Sequence, residues 1–311
     1  MVALPGLMID FQRKILGDDV RNRAFEEALK RTVRPGMVVV DIGAGTGYLS
    51  FLARKLGAKE CILIEQSAAL RLAKKIAREN KITGCTFLDA HSIEVNLPPT
   101  ADIVFSETLG NFALEEHILE NLMDAKRFLK SGGTMIPQGL KQFVAPIVRS
   151  ETLSEIDVWR TIRGGLNFES ARSIALQNLY VGKVEEGDLL KQGTRSFDAI
   201  DFQKKESSVR KGNVEWDIEE DVTIYGFGVW WECTLVPGVI LSTSPASPET
   251  HWEQIVLPIL QPLECRKGDH VRLQIASDTR YRVGLRVRWV ATLLHSEKVI
   301  VEQAMDNRRG A

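Results

Sequence analysis

The chain has 311 residues, of which 44% are hydrophobic and 26% charged, a composition typical of globular proteins and a length sufficient for two cores. Its 40 basic and 41 acidic residues give a formal net charge of −1, which does not favour a nucleic-acid partner. The N-terminal segment lacks the basic start of a signal peptide, and no apolar run approaches the roughly 18 residues of a membrane span.

The cysteine pattern points to a reducing compartment. No Cys-x-x-Cys pair occurs, so neither a zinc site nor a disulfide framework is indicated, and a reduced cytosolic setting is the default. We therefore expect a cytoplasmic protein with no metal site and no membrane or nucleic-acid partner. The four widely spaced cysteines are Cys61, Cys85, Cys233 and Cys265.

Strands and helices are predicted to alternate in the first part of the chain. Apolar residues at helical spacing predict a helix over 18–31, which ends before Pro35 and Gly36. This alternation is typical of a doubly wound parallel sheet. Predicted strands lie at 37–41, 61–65, 86–88 and 103–105, and further predicted helices at 49–55, 68–80 and 116–129.

The pattern changes after about residue 137. Residues 151–180 are predicted to be helical, with an interruption at Gly164 and Gly165. From about residue 194, short segments alternate between apolar and polar residues, with turn residues between them. This alternation predicts an antiparallel barrel or sandwich.

A glycine-rich turn follows the first predicted strand. Gly43, Gly45 and Gly47 come directly after Asp41, and glycines there allow a ligand to approach the backbone closely. The second predicted strand ends at Glu65, whose carboxylate can accept hydrogen bonds from both hydroxyls of a ribose. Nicotinamide enzymes use a related glycine loop and remain an alternative at this point.

Two glutamates follow the strand predicted at 103–105, which is preceded by Ala101 and Asp102. Glu107 comes two residues after it and Glu116 nine residues later, so both belong to the carboxyl end of a parallel strand, where open α/β sheets bind ligands. Two carboxylates can hold one planar cation between them. A guanidinium suits this arrangement because its N–H donors form a rigid fork.

The glycine loop, together with Glu65, resembles the cofactor site of class I S-adenosylmethionine-dependent methyltransferases. Three further segments resemble motifs of the protein arginine N-methyltransferases, and the combined resemblance extends from Met8 to about Leu293. The chain is therefore identified as a divergent member of that family. The three segments are residues 15–21, 106–116 and 242–252.

The resemblance implies an α/β fold: a doubly wound parallel-sheet methyltransferase domain followed by an antiparallel β-barrel domain with a helical arm. The expected boundaries are a helical cap over the cofactor at 1–35, a Rossmann-like domain that binds S-adenosylmethionine at 36–140, and a substrate-binding barrel at 141–311. The arm, at about 151–180, would join two copies of the chain into a homodimer.

The resemblance also implies roles for individual residues. Glu107 and Glu116 would bind the guanidinium of the substrate, and Asp18 and His251 would form a hydrogen-bonded pair between the N-terminal helix and the barrel. Arg21 would pair with the methionyl carboxylate of the cofactor. The other expected cofactor-binding residues are Asp41, Gly43, Gly45, Gly47, Glu65 and Glu94.

The sequence departs from the family pattern at three places. Residues 1–14 contain no tyrosine, although the family has two near this point. Thr108 stands where the family usually has tryptophan. Ile93 replaces a glutamate that accepts the adenine amino group in the family, so Glu94, Asp89 or backbone groups would take that role.

The expected activity is methyl transfer from S-adenosylmethionine to a guanidinium nitrogen of arginine in a protein or peptide, with S-adenosylhomocysteine as product. His251, oriented by Asp18, or one of the glutamates would accept the released proton. Thr108 and the missing tyrosines favour an alternative, methylation of a small guanidino or amine compound. A third possibility is a cofactor-binding subunit without activity, against which the intact site residues argue.

Overall fold

The protein is described by a computed structural model that covers residues 5–149 and 151–310. The expected cap and barrel begin and end at residues 1 and 311, and these two positions lie outside the described residues, as does Ser150. Within the described ranges, no helix combines the length and the apolar character needed to cross a membrane.

Two helices precede the sheet: α1 (Pro5–Gly17) and α2 (Asp19–Thr32). The Asp18 side chain caps α2 because its Oδ1 accepts a hydrogen bond, 2.8 Å long, from the backbone N–H of Arg21. The buried residues of α2, which include Phe25 and Leu29, recur every three or four positions, as the apolar spacing predicted. The predicted helix over 18–31 is confirmed.

A five-stranded parallel sheet has the order β3-β2-β1-β4-β5. Its strands run outward from β1 in both directions, so β1 and β4 flank the point where a doubly wound sheet opens to a ligand. The predicted parallel sheet is confirmed. The strands are β1 (Val38–Ile42), β2 (Glu60–Ile64), β3 (Cys85–Leu88), β4 (Ala101–Ser106) and β5 (Leu129–Ile136), and the helices are α3 (Tyr48–Lys55), α4 (Ala69–Glu79) and α5 (Ile118–Ala125).

The helix predicted over 116–129 is wrong at both ends. His117 has a φ of 61°, a left-handed conformation that an α-helix cannot include, and α5 therefore begins only at Ile118. The chain then makes a 3₁₀ turn over Lys126–Phe128 and enters β5 at Leu129. As a consequence, Glu116 lies in a loop above the sheet edge.

The second part of the chain forms two antiparallel sheets, which confirms the predicted class. Large side chains, among them Trp216, Phe227 and Trp289, are fully buried in its core. One sheet has the order β7-β12-β10-β6-β8, with β11 paired to β10, and the other β15-β14-β13-β9. The strands are β6 (Gly139–Ile147), β7 (Tyr180–Gly182), β8 (Arg195–Asp201), β9 (Val209–Asp217), β10 (Val222–Val236), β11 (Val239–Ser242), β12 (Gln254–Cys265), β13 (His270–Asp278), β14 (Arg286–His295) and β15 (Lys298–Asp306).

The segment expected to be a helical arm is helical only in part. It contains 3₁₀ turns at Glu151–Leu153 and Val158–Arg160 and one α-helix, α6 (Glu169–Ala175). The predicted interruption at Gly164 and Gly165 is confirmed, because these residues have φ values of 106° and 68°, outside the right-handed helical region. The predicted helix on either side of it is wrong in extent, since only 169–175 is α-helical.

Candidate functional site

A cavity of about 410 Å³ lies at the carboxyl ends of the parallel strands. Most of its lining residues come from α1, α2 and the loops that follow β1, β2, β3 and β4. Of the described residues that line it, only His251 and Tyr281 belong to the antiparallel region. The site is therefore built mainly by the parallel sheet, as its topology predicts.

The glycine loop between β1 and α3 adopts a conformation that requires glycine. Gly43 and Gly45 have φ values of 72° and 53° and line the cavity. A Cβ on Gly43 would lie 2.7 Å from Cγ2 of Thr108, so no side chain fits there. Gly47 does not line the cavity. It precedes α3, where a Cβ would lie 2.6 Å from the ring of Phe51.

Glu65 follows β2 and faces the cavity. Its Oε2 accepts a hydrogen bond from Gly45 N at 2.9 Å, and its Oε1 accepts one from Ser67 N at 2.7 Å. These two bonds hold the carboxylate beside the glycine loop. Each oxygen keeps a second lone pair, which a ligand hydroxyl can use.

Asp41, the residue expected to precede the glycine loop, lies in β1 and also lines the cavity. It is buried and accepts a hydrogen bond from Ser50 Oγ at 2.7 Å. Burial raises the pKa of Asp41 to about 7, and the negative charges of Glu65 and Glu107 also raise it. The hydrogen bond from Ser50 lowers the pKa but does not outweigh these effects.

Glu107 follows β4 and is paired with Arg21 of α2. Nε of Arg21 donates to Glu107 Oε2 at 2.8 Å, and Nη2 donates to the same oxygen. Both side chains are almost fully buried, with 6% and 7% exposed. Arg21 lines the cavity as expected, but in this structure its partner is one of the two glutamates.

Glu116 lies across the same cavity and has a different environment. Within residues 5–149 and 151–310, no hydrogen bond or ion pair reaches its carboxylate. Although the side chain is open to the cavity, the surrounding protein raises its pKa to about 7, and Glu107 and Glu115 add to this effect. Of the four carboxylates that line the cavity, Glu107 is therefore paired with Arg21, whereas Glu116 has no partner among the described residues.

The expected pair of Asp18 and His251 is present. Asp18 Oδ2 accepts hydrogen bonds from Nδ1 of His251 at 2.7 Å and from its backbone N–H at 2.8 Å. Burial by itself would raise the pKa of Asp18, but the hydrogen bonds from His251 and Arg21 outweigh it and lower the pKa. Because Nδ1 carries the donated proton, Nε2 of a neutral His251 is free to accept one.

Two buried tryptophans fix the loop that carries the glutamates. Nε1 of Trp252 donates to Leu109 O at 2.8 Å, and Nε1 of Trp231 donates to Gly110 O at 3.0 Å. Trp252 belongs to the segment 242–252, which resembles a family motif, and in the structure it holds the backbone of this loop, as does Trp231. Both are buried, and a buried indole N–H needs such an acceptor.

Glu94 does not reach the cavity. It ends a 3₁₀ turn over Ser92–Glu94, where its carboxylate accepts a 3.4 Å hydrogen bond from the backbone N–H of His91 and thereby caps its own turn. The expected role of Glu94 at the adenine is therefore not supported by its position. The cavity wall at this point is formed by Ala90, His91 and Ser92.

The described residues contain no group of three or more side chains that could hold a metal ion. A further lining residue, Tyr281, was not among the predicted site residues and reaches the cavity from the antiparallel region. Its ring lies 5.3 Å from that of His91 and 4.8 Å from that of His117.

Two family models match the chain. One, described as a methyltransferase domain, matches residues 34–193, which is more than half of the chain. The other, described as an arginine methyltransferase oligomerization subdomain, matches residues 141–287.

Three curated proteins illustrate the similarity. Protein arginine N-methyltransferase 6 of Xenopus tropicalis is 29% identical over 280 residues, which cover 85% of this chain and 82% of that protein. Histone-arginine methyltransferase CARMER of Anopheles gambiae is 25% identical over 93% of this chain, and probable protein arginine N-methyltransferase 3 of Arabidopsis thaliana is 29% identical over 81% of it. The chain spans about half the length of these last two, 50% and 46% respectively.

Solved structures share the fold. The Trypanosoma brucei PRMT1 enzyme-prozyme heterotetrameric complex with AdoHcy superposes with a TM-score of 0.83 at 23% identity, covering 95% of this chain and 97% of that one. Protein arginine methyltransferase 10 of Arabidopsis thaliana gives a TM-score of 0.78 at 19% identity, with 95% and 97% covered. The chain belongs to the methyltransferase domain family, and its antiparallel region is similar to the oligomerization subdomain of arginine methyltransferases.

Proposed function

We propose that this protein is an enzyme that transfers a methyl group from S-adenosylmethionine to a guanidinium nitrogen of arginine in a protein or peptide. The observation that carries this proposal is the charge arrangement of the cavity. Glu107 and Glu116 both line it, Arg21 pairs with the first, and the second has no partner among the described residues. The guanidinium of a substrate would supply the cation that Glu116 lacks.

The residues of the cavity fit S-adenosylmethionine. Gly43 and Gly45 leave backbone space that a side chain would fill, and the Glu65 carboxylate stands where ribose hydroxyls can donate to it. Arg21 lines the cavity and can bind the methionyl carboxylate while it remains in contact with Glu107. When bound, S-adenosylmethionine supplies a methyl group on a positively charged sulfur.

Glu107 and Glu116 have two tasks in this proposal. They bind the guanidinium through its N–H groups and orient it, which replaces a chance encounter by a fixed geometry. They also draw its positive charge toward the nitrogens that they contact, so electron density remains on the third nitrogen. Arginine is otherwise a poor nucleophile because its charge is delocalised.

The methylated nitrogen must then lose a proton, and two groups are suited to accept it. Nε2 of His251 is available because Nδ1 donates to Asp18. Glu116 has a pKa of about 7 in the open cavity, which is in the range of a useful general base at neutral pH. The Asp18 carboxylate orients the imidazole and stabilises its protonated form.

The function is tested by incubating the protein with labelled S-adenosylmethionine and, separately, arginine-containing peptides, free arginine and simple amines, with mass detection of the products. We expect methylarginine in peptides. Label in free arginine or amines alone would instead support the small-molecule methyltransferase. Binding of the cofactor without any transfer would support a non-catalytic subunit, and tighter binding of NAD would overturn the cofactor assignment.

The domain boundaries at 1–35, 36–140 and 141–311 are also part of the proposal. The chain leaves the parallel sheet at Ile136, the end of β5, and enters the antiparallel sheet at Gly139, the start of β6, which supports a boundary near this point. We further propose a cytoplasmic location, in keeping with the four free cysteines in the structure.

A homodimer through the arm at 151–180 completes the proposal. Four large apolar side chains of this segment are exposed, with Leu166 at 68% and Ile174 at 52%, and such surfaces mark contacts with other proteins. The match to an oligomerization subdomain begins ten residues before the arm and includes it. Light scattering at micromolar concentration should give twice the mass of one chain, and a monomer would contradict the proposal. The four exposed apolar side chains of the arm are Val158, Ile162, Leu166 and Ile174.

A further inference from the structure

Tyr281 lines the cavity from an unexpected direction. It belongs to the loop at 279–285, between β13 and β14 of the antiparallel region. The residue is 39% exposed, so the protein does not cover it completely. The proposed binding of a guanidinium by Glu107 and Glu116 does not involve the ring of Tyr281.

The loop of Tyr281 is fixed to the parallel-sheet region at its first residue. Thr279 is 1% exposed, and its Oγ1 donates a 2.6 Å hydrogen bond to Oε1 of Glu120 in α5. Its carbonyl oxygen accepts a 2.8 Å hydrogen bond from Nδ1 of His117. On the other side, its backbone N–H donates to Ser208 O at 3.1 Å. The position of Tyr281 over the cavity is therefore set by several bonds.

The rings of His91, His117 and Tyr281 form what we call the aromatic wall. Tyr281 meets His91 edge to face, with an interplanar angle of 83°, and is tilted by 50° against His117. His91 follows β3, and His117 directly precedes α5. All three line the cavity, so the wall is formed by three segments far apart in sequence.

Strand order indicates which part of the cofactor meets the aromatic wall. Glu65, proposed to bind the ribose, follows β2, and Glu107 follows β4 on the other side of β1. β3 is the next strand outward from β2, so a base attached to the ribose lies toward the end of β3, where His91 and Ser92 are. Ser92 is buried, and its Oγ has no hydrogen-bond partner among the described residues, which adds a polar group at this place.

A line of hydrogen bonds connects Tyr281 to the floor of the cavity. Its hydroxyl donates to Asn121 Oδ1 at 2.7 Å, and Asn121 Nδ2 donates to Thr108 Oγ1 at 3.4 Å. Thr108 in turn lies 3.2 Å, oxygen to oxygen, from Ser106 Oγ. A tryptophan at position 108 could not accept the bond from Asn121, because its indole nitrogen is only a donor. This departure from the family pattern is therefore linked to Tyr281.

We propose that Tyr281 is a cofactor-binding residue whose ring closes the cavity over the purine base of S-adenosylmethionine. This inference rests on the proposed function, because it assigns part of the same cofactor site. Aromatic side chains stack on purines through the ring faces, an interaction available to the uncovered surface of Tyr281. The antiparallel region then contributes to cofactor affinity as well as to substrate binding.

The test compares the affinities of S-adenosylhomocysteine and 5′-methylthioadenosine, which has the base and ribose but no amino-acid part. Tyr281→Ala and Tyr281→Leu lack the ring and should weaken both ligands about tenfold, in line with measured base stacking. Tyr281→Phe keeps the ring and should stay within about threefold of the wild type, since only one neutral hydrogen bond is lost. Arg282→Ala, an exposed neighbour in the same loop, is the matched control and should bind both ligands normally.

Each outcome decides the matter. Wild-type affinity of the ring-free variants for 5′-methylthioadenosine would overturn the inference, and an equal loss in Tyr281→Phe would show that the hydroxyl, not the ring, is responsible. Melting temperatures without ligand identify which of the two ring-free variants is folded as in the wild type. If the wild type binds neither ligand, the proposed function itself fails. If the wild type binds both ligands and the ring-free Tyr281 variants bind them equally well, the function stands and the inference fails.

Discussion

The parallel-sheet region and the antiparallel region make different contributions to the same cavity. The first supplies Arg21, Glu65, Glu107 and Glu116, whose positions follow from where its helices and strands end. The second supplies few lining residues but holds the loop of the glutamates through Trp231 and Trp252, over sequence separations of 121 and 143 residues. Local structure thus places the charged side chains at the cavity, and contacts between residues far apart in sequence hold the loop of the glutamates in position.

The two glutamates of the cavity also differ from each other in burial and in pairing. Glu107 is buried and neutralised by Arg21, whereas Glu116 is open to the cavity and unpaired among the described residues. Glu107 is therefore already paired with a cation before a ligand binds. Glu116 becomes fully ionised only when a cation approaches, because its pKa is raised to about 7.

The largest expected effect comes from removing either carboxylate charge. Glu107→Gln and Glu116→Gln should each lower kcat at least about 100-fold, because a neutral amide cannot draw the guanidinium charge toward itself. The two losses should combine to less than their product, since the residues act on one group. Initial rates at saturating S-adenosylmethionine measure this.

The same variants separate the two glutamates. Glu116→Gln should leave cofactor affinity unchanged in calorimetry, whereas Glu107→Gln releases Arg21 and should change it. Glu115→Gln is the control, because its Oε1 can still accept the hydrogen bond from Asn111 N. Near-normal turnover in either site variant would rule out the guanidinium clamp and favour an amine substrate.

A smaller effect is expected from pH. A carboxyl group with a pKa of about 7 is mostly protonated at pH 6 and mostly ionised at pH 8, and only the ionised form of Glu116 attracts a cation. The apparent Kd of an arginine peptide, measured with S-adenosylhomocysteine present, should therefore be about tenfold weaker at pH 6 than at pH 8. Below pH 7, binding should release a proton.

Glu116→Gln serves as the control for this pH effect, since it removes the titrating group and should make the Kd independent of pH. Asp41 also has a raised pKa, near 7, but it is buried against Ser50. A tenfold pH dependence that survives in Glu116→Gln would assign the effect to Asp41 and contradict the prediction.

The sequence predicted the first four strands of the parallel sheet to within one or two residues because its signals are local, but it did not predict β5. Apolar runs and glycine turns lie inside short windows, and the glutamates were found because they follow β4. The errors have physical causes as well. His117 adopts a left-handed conformation that shortens α5, and Glu94 caps its own turn instead of facing the cavity.

The antiparallel region was predictable as a class but not in its contacts with the site. Alternating residues indicate strands, yet nothing local reveals that Tyr281 meets Asn121, which is 160 positions away. The hydrogen bonds of the two tryptophans could not be predicted for the same reason. Each satisfies a buried N–H with a backbone carbonyl of the glutamate loop, and an acceptor of this kind has no sequence signature.

The smallest expected effect tests whether these distant contacts set precision. Trp252→Phe keeps an aromatic ring but removes the hydrogen bond to Leu109 O, at a cost of about 1 kcal/mol. If this bond holds the glutamate loop in its reactive position, kcat should fall about fivefold, with cofactor affinity unchanged. Trp289→Phe is the matched control, because its Nε1 donates at 2.7 Å to Pro258 O inside the antiparallel core. Both variants should lower the melting temperature to a similar degree, and only Trp252→Phe should slow turnover. Equal effects on kcat would show that general stability, not the position of the loop, accounts for the loss.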